Sequence, residues 1–129
     1  MGVSDADVAV LLGELFAIPS VNPAFRREGE PDHWFGEAAI GAYVSDWLRR
    51  IGLDVEIDTV LPGRPNVIAQ LRGRPGGRHL LWEGHLDTVQ VSGMTVAPFE
   101  PTVRAGRLYG RGAVETRAAS PHSCWPCAA

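Results

Sequence analysis

The sequence predicts an α/β unit, because two stretches with helical spacing come first, segments with strand character follow, and one of those segments is fully apolar. At 129 residues, 45% hydrophobic and 21% charged, the chain has the length and composition of one globular domain. Fifteen glycines and ten prolines punctuate it heavily, so its elements are expected to be short.

The first helix starts at Ser4, with Asp7 three residues on in a capping-box arrangement. Val8, Leu11, Leu12, Leu15 and Phe16 follow at helical spacing up to Pro19. The stretch "PSVNPAFRREGEPDHWFG" reads as irregular loop, since three prolines and two glycines break any period. A second helix is expected over residues 37–51, with Ile40, Val44, Trp47, Leu48 and Ile51 on one face and Gly52 as its stop.

After Gly52 the period changes to two. "LDVEIDTV" alternates as a half-buried strand does, and "NVIAQL" reads as another. Residues 80–82 of "HLLWEGHLDTV" form an apolar run suited to a buried central strand, with Trp82 in the core as Trp47 is on its helix. "TVRAGRLYG" reads as a small hairpin around Ala105 and Gly106.

Composition also excludes functions. A formal net charge of -3 without a Lys/Arg cluster gives no footprint for nucleic acid or an anionic membrane. No apolar run reaches the roughly 20 residues of a membrane span, and the N-terminus is acidic and amphipathic, so the chain reads as cytoplasmic. Ala6 stands where a myristoylation signal needs Ser or Thr.

The chemical signal lies at the end of the apolar run, in "EGHLDT". Sites in open α/β sheets form beyond the carboxyl ends of strands. In extended backbone residues i and i+2 point to one side, so His85 and Asp87 can face a pocket together. Metal-bound histidines usually donate their second ring N–H to a carboxylate or carbonyl, and His-x-Asp can supply that pair locally. His33 in a loop and His79 at a strand start read as surface groups, and the arginines at 26, 27, 49 and 50 as solvated faces.

The stretches "LLGELFAIPSVNP", "GLDVEID", "RPNVIAQLRG", "LLWEGHLDTVQV" and "PFEPTVRAGRLYGRGAVETR" resemble, in order and spacing, the zinc-dependent exopeptidase and deacylase family of acetylornithine deacetylase, succinyl-diaminopimelate desuccinylase, aminoacylase and carboxypeptidase G. The resemblance implies the N-terminal part of a zinc-exopeptidase-like α/β/α catalytic domain over residues 1–117, two helices on a partial mixed sheet. It implies His85 as a ligand of one of two zinc ions, with cobalt as a substitute, and Asp87 as the catalytic carboxylate orienting it. Glu115 stands where the family has a metal-bridging aspartate, one methylene longer than usual. Asn66, Gly110 and Gly112 match as structural positions at strand entry and tight turns. The implied reaction is hydrolysis of the amide bond of a small N-acyl amino acid or short peptide, by a form that is homodimeric only at full length.

Catalytic zinc normally takes three protein ligands plus water, whereas two ions here would share His85 and Glu115 as direct ligands. The family's general base has no counterpart, a loss of about 10²–10⁴-fold. The chain as written is therefore expected to be inactive.

Residues 118–129, "AASPHSCWPCAA", depart from the family and show no helical period, so they are expected to be disordered. Inserting one G after the Arg117 codon, with permitted synonymous choices, gives Gly-Ser-Leu-Ala-Ala-Phe-Leu-Leu-Ala-Leu-Arg-Arg, the helix the family has there, which points to a frameshift. A thiol redox role for Cys124 and Cys127 requires a helix behind the pair, and only Ala128 and Ala129 follow. The remaining alternative is a non-catalytic fragment acting as an interaction module.

Overall fold

The structure, a computed structural model, describes residues 4–114. In chain order it contains helix α1 (Asp5–Ala17), two 3-10 turns (Pro23–Phe25 and Asp32–Trp34), helix α2 (Ala38–Arg50), strands β1 (Asp54–Leu61) and β2 (Arg64–Gln70), and strands β3 (Thr102–Arg104) and β4 (Arg107–Tyr109).

The start of α1 follows from its first residues. The Ser4 hydroxyl oxygen accepts from the Asp7 backbone N–H at 3.2 Å, and the Asp7 carboxylate accepts from the Ser4 backbone N–H at 3.1 Å, so two otherwise orphaned donors are satisfied reciprocally. The Ser4 hydroxyl also donates to the Asp7 Oδ2 at 2.6 Å, and this side-chain bond first, then the Ser4 backbone N–H, holds the Asp7 carboxyl below its ordinary value. The helix ends at Ala17 because Ile18, the residue before Pro19, is pushed into extended backbone.

Helix α2 lies within the span its period predicts, with Glu37 and Ile51 as its caps. Its end is a Schellman motif: Gly52, at φ 93°, donates to the Arg49 carbonyl and Leu53 donates to the Leu48 carbonyl. Leu11, Leu15 and Phe16 of α1 bury against Ile40 of α2, with Val44, Trp47, Leu86 and Leu108 packed around them. Tyr43 donates its hydroxyl to Glu14, tying the two helices together, and burial with this carboxylate pushes the phenol up to about 12.

β1 and β2 pair antiparallel from Asp54 opposite Gln70 to Leu61 opposite Arg64, with an irregularity between Thr59 and Leu61. Helix α2 covers one side of this ladder. Gly41 permits the approach, since a Cβ there would stand 2.8 Å from the Pro65 Cγ. The other side has no cover among the described residues, so the strands are more exposed than half-buried strands would be. β3 and β4 form the expected hairpin, whose turn places both Ala105 (φ 49°) and Gly106 (φ 72°) in left-handed backbone.

The α/β class holds, but two sheet expectations are corrected. The sheet is not mixed: it consists of two separate antiparallel ladders, and parallel pairing among the described residues is limited to isolated bridges of Val21 with Phe35 and with Thr88. Residues 80–82 are not a buried strand, and Trp82 is not in the core. Leu80, Leu81 and Trp82 are 82%, 85% and 63% exposed and pair with no strand among the described residues. An all-apolar strand needs neighbours on its edges and layers over both faces. Here α1 and α2 cover only their shared core and one side of β1–β2. The expectation of a disordered, frameshifted tail at 118–129, Cys124 and Cys127 included, lies outside the described residues.

Two outcomes test this packing. A Cβ at Gly110 would stand 2.9 Å from Cδ2 and 3.2 Å from Cβ of Phe16, a side chain only 1% exposed. Gly110→Ala is therefore expected to lower stability by about 1–3 kcal/mol in chemical denaturation. The Asp7 carboxyl is depressed in the folded chain, so its stabilising effect is present above the unfolded value of 3.8 and is lost as pH falls below it through the lower folded value. Circular dichroism of Asp7→Asn should show a lower melting temperature at neutral pH and a smaller difference from the native chain in acid.

Candidate functional site

The segment following the exposed apolar run is fixed to the loop after α1. Thr88 donates its backbone N–H to the Ser20 carbonyl at 2.9 Å, and Asn22 donates its own to the Thr88 carbonyl at 2.9 Å. On the opposite side Val21 donates to the Trp34 carbonyl and accepts from Gly36. The Ser20 hydroxyl, fully buried, donates to the Leu86 carbonyl at 2.6 Å. Residues 86–88 are thus held in extended backbone by a short parallel pairing, with Ser20, Val21 and Thr88 all buried.

That backbone sends the side chains of residues 85 and 87 to the same side. The His85 Nδ1 lies 3.2 Å from the Asp87 Oδ1 and 3.0 Å from the Asp87 backbone carbonyl oxygen. Both groups facing Nδ1 accept hydrogen bonds, so the contact assigns a proton to this nitrogen. Asp87 is more enclosed than His85, whose ring is largely exposed. The pairing expected from the i, i+2 spacing is present.

Three further residues support the pair. Asn22 donates its side-chain N–H to the Asp87 Oδ2 at 2.8 Å while its Oδ1 accepts from the Ala24 N–H at 3.0 Å. Arg64 at the start of β2 binds Glu37 through Nε at 2.8 Å and Nη2 at 3.0 Å. Glu37 is only 5% exposed, so this bidentate cation compensates a carboxylate that would otherwise be buried at high cost. Arg64 is held charged by Glu37 first, and it also feels the negative charge of Asp87. Sequence reading missed Asn22 and Arg64 as site neighbours, although both lie in stretches that resemble the family, "PSVNP" and "RPNV".

The turn at residues 110–114 is tied to the same region. Arg111 donates its backbone N–H to Pro98 and its Nη2 to the Gln90 carbonyl at 2.7 Å, and Gly112 takes a φ of 87°. Glu115 lies outside the described residues. His33 and His79 are exposed, as expected of surface groups. Arg26 and Arg49 are partly exposed and serve local contacts, Arg26 with Asp32 and the Phe35 ring and Arg49 with Asp46.

As a donor set, the site suits one metal-ligand position, since the carboxylate at Nδ1 orients the ring as a ligating histidine requires. Among the described residues no three His, Cys, Asp or Glu side chains gather at one point. The described residues therefore offer an oriented imidazole and not a complete coordination shell.

Fold and site together define an α/β unit that presents a carboxylate-backed histidine on a surface segment. Comparison with known proteins assigns the unit. Over 118 residues the chain is 36% identical to the succinyl-diaminopimelate desuccinylase of Sphingopyxis alaskensis, a match covering 88% of this chain and 28% of that protein. It is 33% identical over 84 residues to the acetylornithine deacetylase of Vibrio vulnificus, covering 64% of this chain and 22% of that one. It is also 28% identical over 116 residues to the N-formyl-4-amino-5-aminomethyl-2-methylpyrimidine deformylase of Halalkalibacterium halodurans, covering 86% and 25%. No family model matches the chain. The chain belongs to the peptidase and deacylase family of these enzymes, and it spans about a quarter of the length of the curated relatives it matches.

Removing the Ser20 hydroxyl should loosen the pairing that sets the site. Ser20→Ala leaves the Leu86 carbonyl without this donor in a part-buried position, a change expected to cost about 1–3 kcal/mol. Hydrogen exchange should show the Thr88 amide losing protection more than the amides of α2.

Proposed function

We propose that these residues form the N-terminal part of a metal-dependent hydrolase acting on the amide bond of small N-acyl amino acids or short peptides. The observation that supports it most directly is the 3.2 Å approach of Asp87 Oδ1 to His85 Nδ1, in a chain related to deacylating enzymes. On this reading His85 ligates a zinc ion, or cobalt in its place, through Nε2, and Asp87 holds the ring. Glu115, which follows residues 110–114 in the sequence, would supply a second carboxylate.

A bound zinc ion would supply a water acidified toward a pKa of about 7 and a polarised substrate carbonyl. The chain's own contribution is orientation. Asp87 keeps the proton on Nδ1, Asn22 holds Asp87, and the Ser20–Asn22 backbone fixes the segment that bears both. One imidazole and one carboxylate are too few donors for tight binding of two ions. The 129-residue chain is therefore proposed to bind zinc weakly and to be inactive on its own toward amides.

Zinc titration of the isotope-labelled chain, followed by NMR of the histidine rings, tests the reading. The His85 Nε2 signal should shift or broaden at zinc concentrations that leave His33 and His79 unaffected, and His85→Ala should abolish most of the heat seen by calorimetry. Zinc binding that survives His85→Ala would contradict the role given to His85, whereas fast hydrolysis of N-acetyl amino acids by the purified chain would support the reaction class and contradict only the inactivity proposed for the chain on its own.

A further inference from the structure

The β1–β2 ladder has one covered face and one open face, and their chemistry differs. Gly41 of α2 meets Pro65 and Val67, so these residues and their cross-strand partners Thr59 and Ile57 lie toward the helix. The alternate positions lie on the open face, where Asp54, Glu56 and Asp58 stand opposite Gln70, Ile68 and Asn66. All three carboxylates are exposed, and Ile68 beside them is 43% exposed. The loop that leaves β2 has the opposite sign. From residue 59 to residue 82 there is no Asp or Glu, and Arg72, Arg74 and Arg78 precede the exposed apolar run 80–82. None of these carboxylates and arginines enters an ion pair among the described residues. The loop is anchored at both ends, by β2 up to Gln70 and by the Ser20 hydroxyl at Leu86, yet every residue from 71 to 82 is exposed. It therefore does not lie on its own ladder, and the open face and the loop stay unmatched within one chain.

We propose that two copies of this chain associate reciprocally, the loop 72–82 of each lying across the open face of the other's β1–β2 ladder. The three arginines then oppose the three carboxylates, and the apolar run covers Ile68. Like charges exclude the simpler arrangement of ladder on ladder, which would set the carboxylates of one copy against those of the other. Length permits the exchange. Residues 72–82 reach about 35 Å at full extension, which exceeds the ~27 Å of the eight-residue β1 and leaves room for the turn at residues 74–77. Because each copy gives a loop and receives one, the contact is self-complementary and closes at two copies instead of growing into a filament. The exposed charge pairs are individually weak, so burial of Leu80, Leu81 and Trp82 carries most of the affinity and the charges set the geometry. The association is of these 129 residues; it stands apart from the full-length homodimer that the family resemblance implies, and it does not depend on His85 binding a metal.

Charge reversal on either side separates this exchange from general apolar clustering. One variant carries Arg72→Glu, Arg74→Glu and Arg78→Glu; the other carries Asp54→Lys, Glu56→Lys and Asp58→Lys. Sedimentation equilibrium of the native chain should show a reversible monomer–dimer equilibrium whose dissociation constant rises several-fold from low to high salt. Each variant alone sets like charges together in both contacts and should dimerise about tenfold more weakly or worse. Mixed, the two variants match in both contacts, so a dimer with one copy of each should form with near-native strength. A third variant, Leu80→Ser with Trp82→Ser, leaves every charge in place and should also weaken the dimer about tenfold or more. A native chain that stays monomeric at all concentrations, or aggregates that grow without stopping at two, would overturn the proposal. So would reversals or serine substitutions that leave association unchanged, a mixture that fails to associate while both variants keep native circular dichroism, or a monomer that instead sediments with phosphatidylserine vesicles.

Discussion

The site depends on one short backbone pairing, in which Val21 is bonded on both sides. Toward one neighbour it exchanges bonds with Trp34 and Gly36, and toward the other its flanking residues Ser20 and Asn22 exchange bonds with Thr88. Its side chain is 1% exposed. Prolines at 19 and 23 bracket the segment, and because proline has no N–H, the donors at Val21 and Asn22 carry the pairing. An extended entry is already imposed at Ile18, which precedes Pro19. The same feature that ends α1 thus supplies the strand-like segment on which residues 86–88 are laid.

From that pairing outward, polar groups are satisfied in sequence. Glu37 is buried beside the start of α2 and accepts the bidentate Arg64, whose position follows from the β1–β2 turn at Gly63. The Gly63 carbonyl accepts the Glu37 backbone N–H at 2.9 Å, so the turn and the helix start are one hydrogen-bonded unit. The arginine is thereby fixed with its charge within electrostatic reach of Asp87. A buried carboxylate that had lost its arginine would remain as an uncompensated charge, which is why this contact matters more than the exposed ion pairs Arg26–Asp32 and Arg49–Asp46.

The helices and the second hairpin were legible in the sequence because their signals are local. Ser4 with Asp7, the spacing of Ile40, Val44, Trp47 and Leu48, and Gly52 act within a few residues of where they stand, and Ala105-Gly106 closes its own hairpin. The His85–Asp87 contact was legible for the same reason, since a spacing of two decides it. Asn22 was not, because its partner is 65 positions away, and neither was Arg64, whose partner Glu37 is 27 away. Residues 80–82 failed for a different reason. Apolarity reports what a segment would bury against, and the described residues provide neither flanking strands nor covering layers for it.

That exposed apolar segment leads, within three residues, to the histidine. The contrast between the two is informative about where rigidity originates. Leu80, Leu81 and Trp82 face water with no sheet partner among the described residues, and contiguous apolar surface of this kind favours association with other surfaces. His85 and Asp87 nevertheless meet at hydrogen-bond distance. Their geometry is therefore not inherited from a strand running into the site from residue 80; it comes from the other direction, through Leu86 and Thr88 and their bonds to Ser20 and Asn22. An imidazole held in this way has its ring oriented by the fold itself, so the cost of ordering the ring is already met in folding. What the arrangement lacks among the described residues is additional donors, and on the proposed reading it is the number of donors, more than the orientation of the one present, that limits how tightly a metal is held.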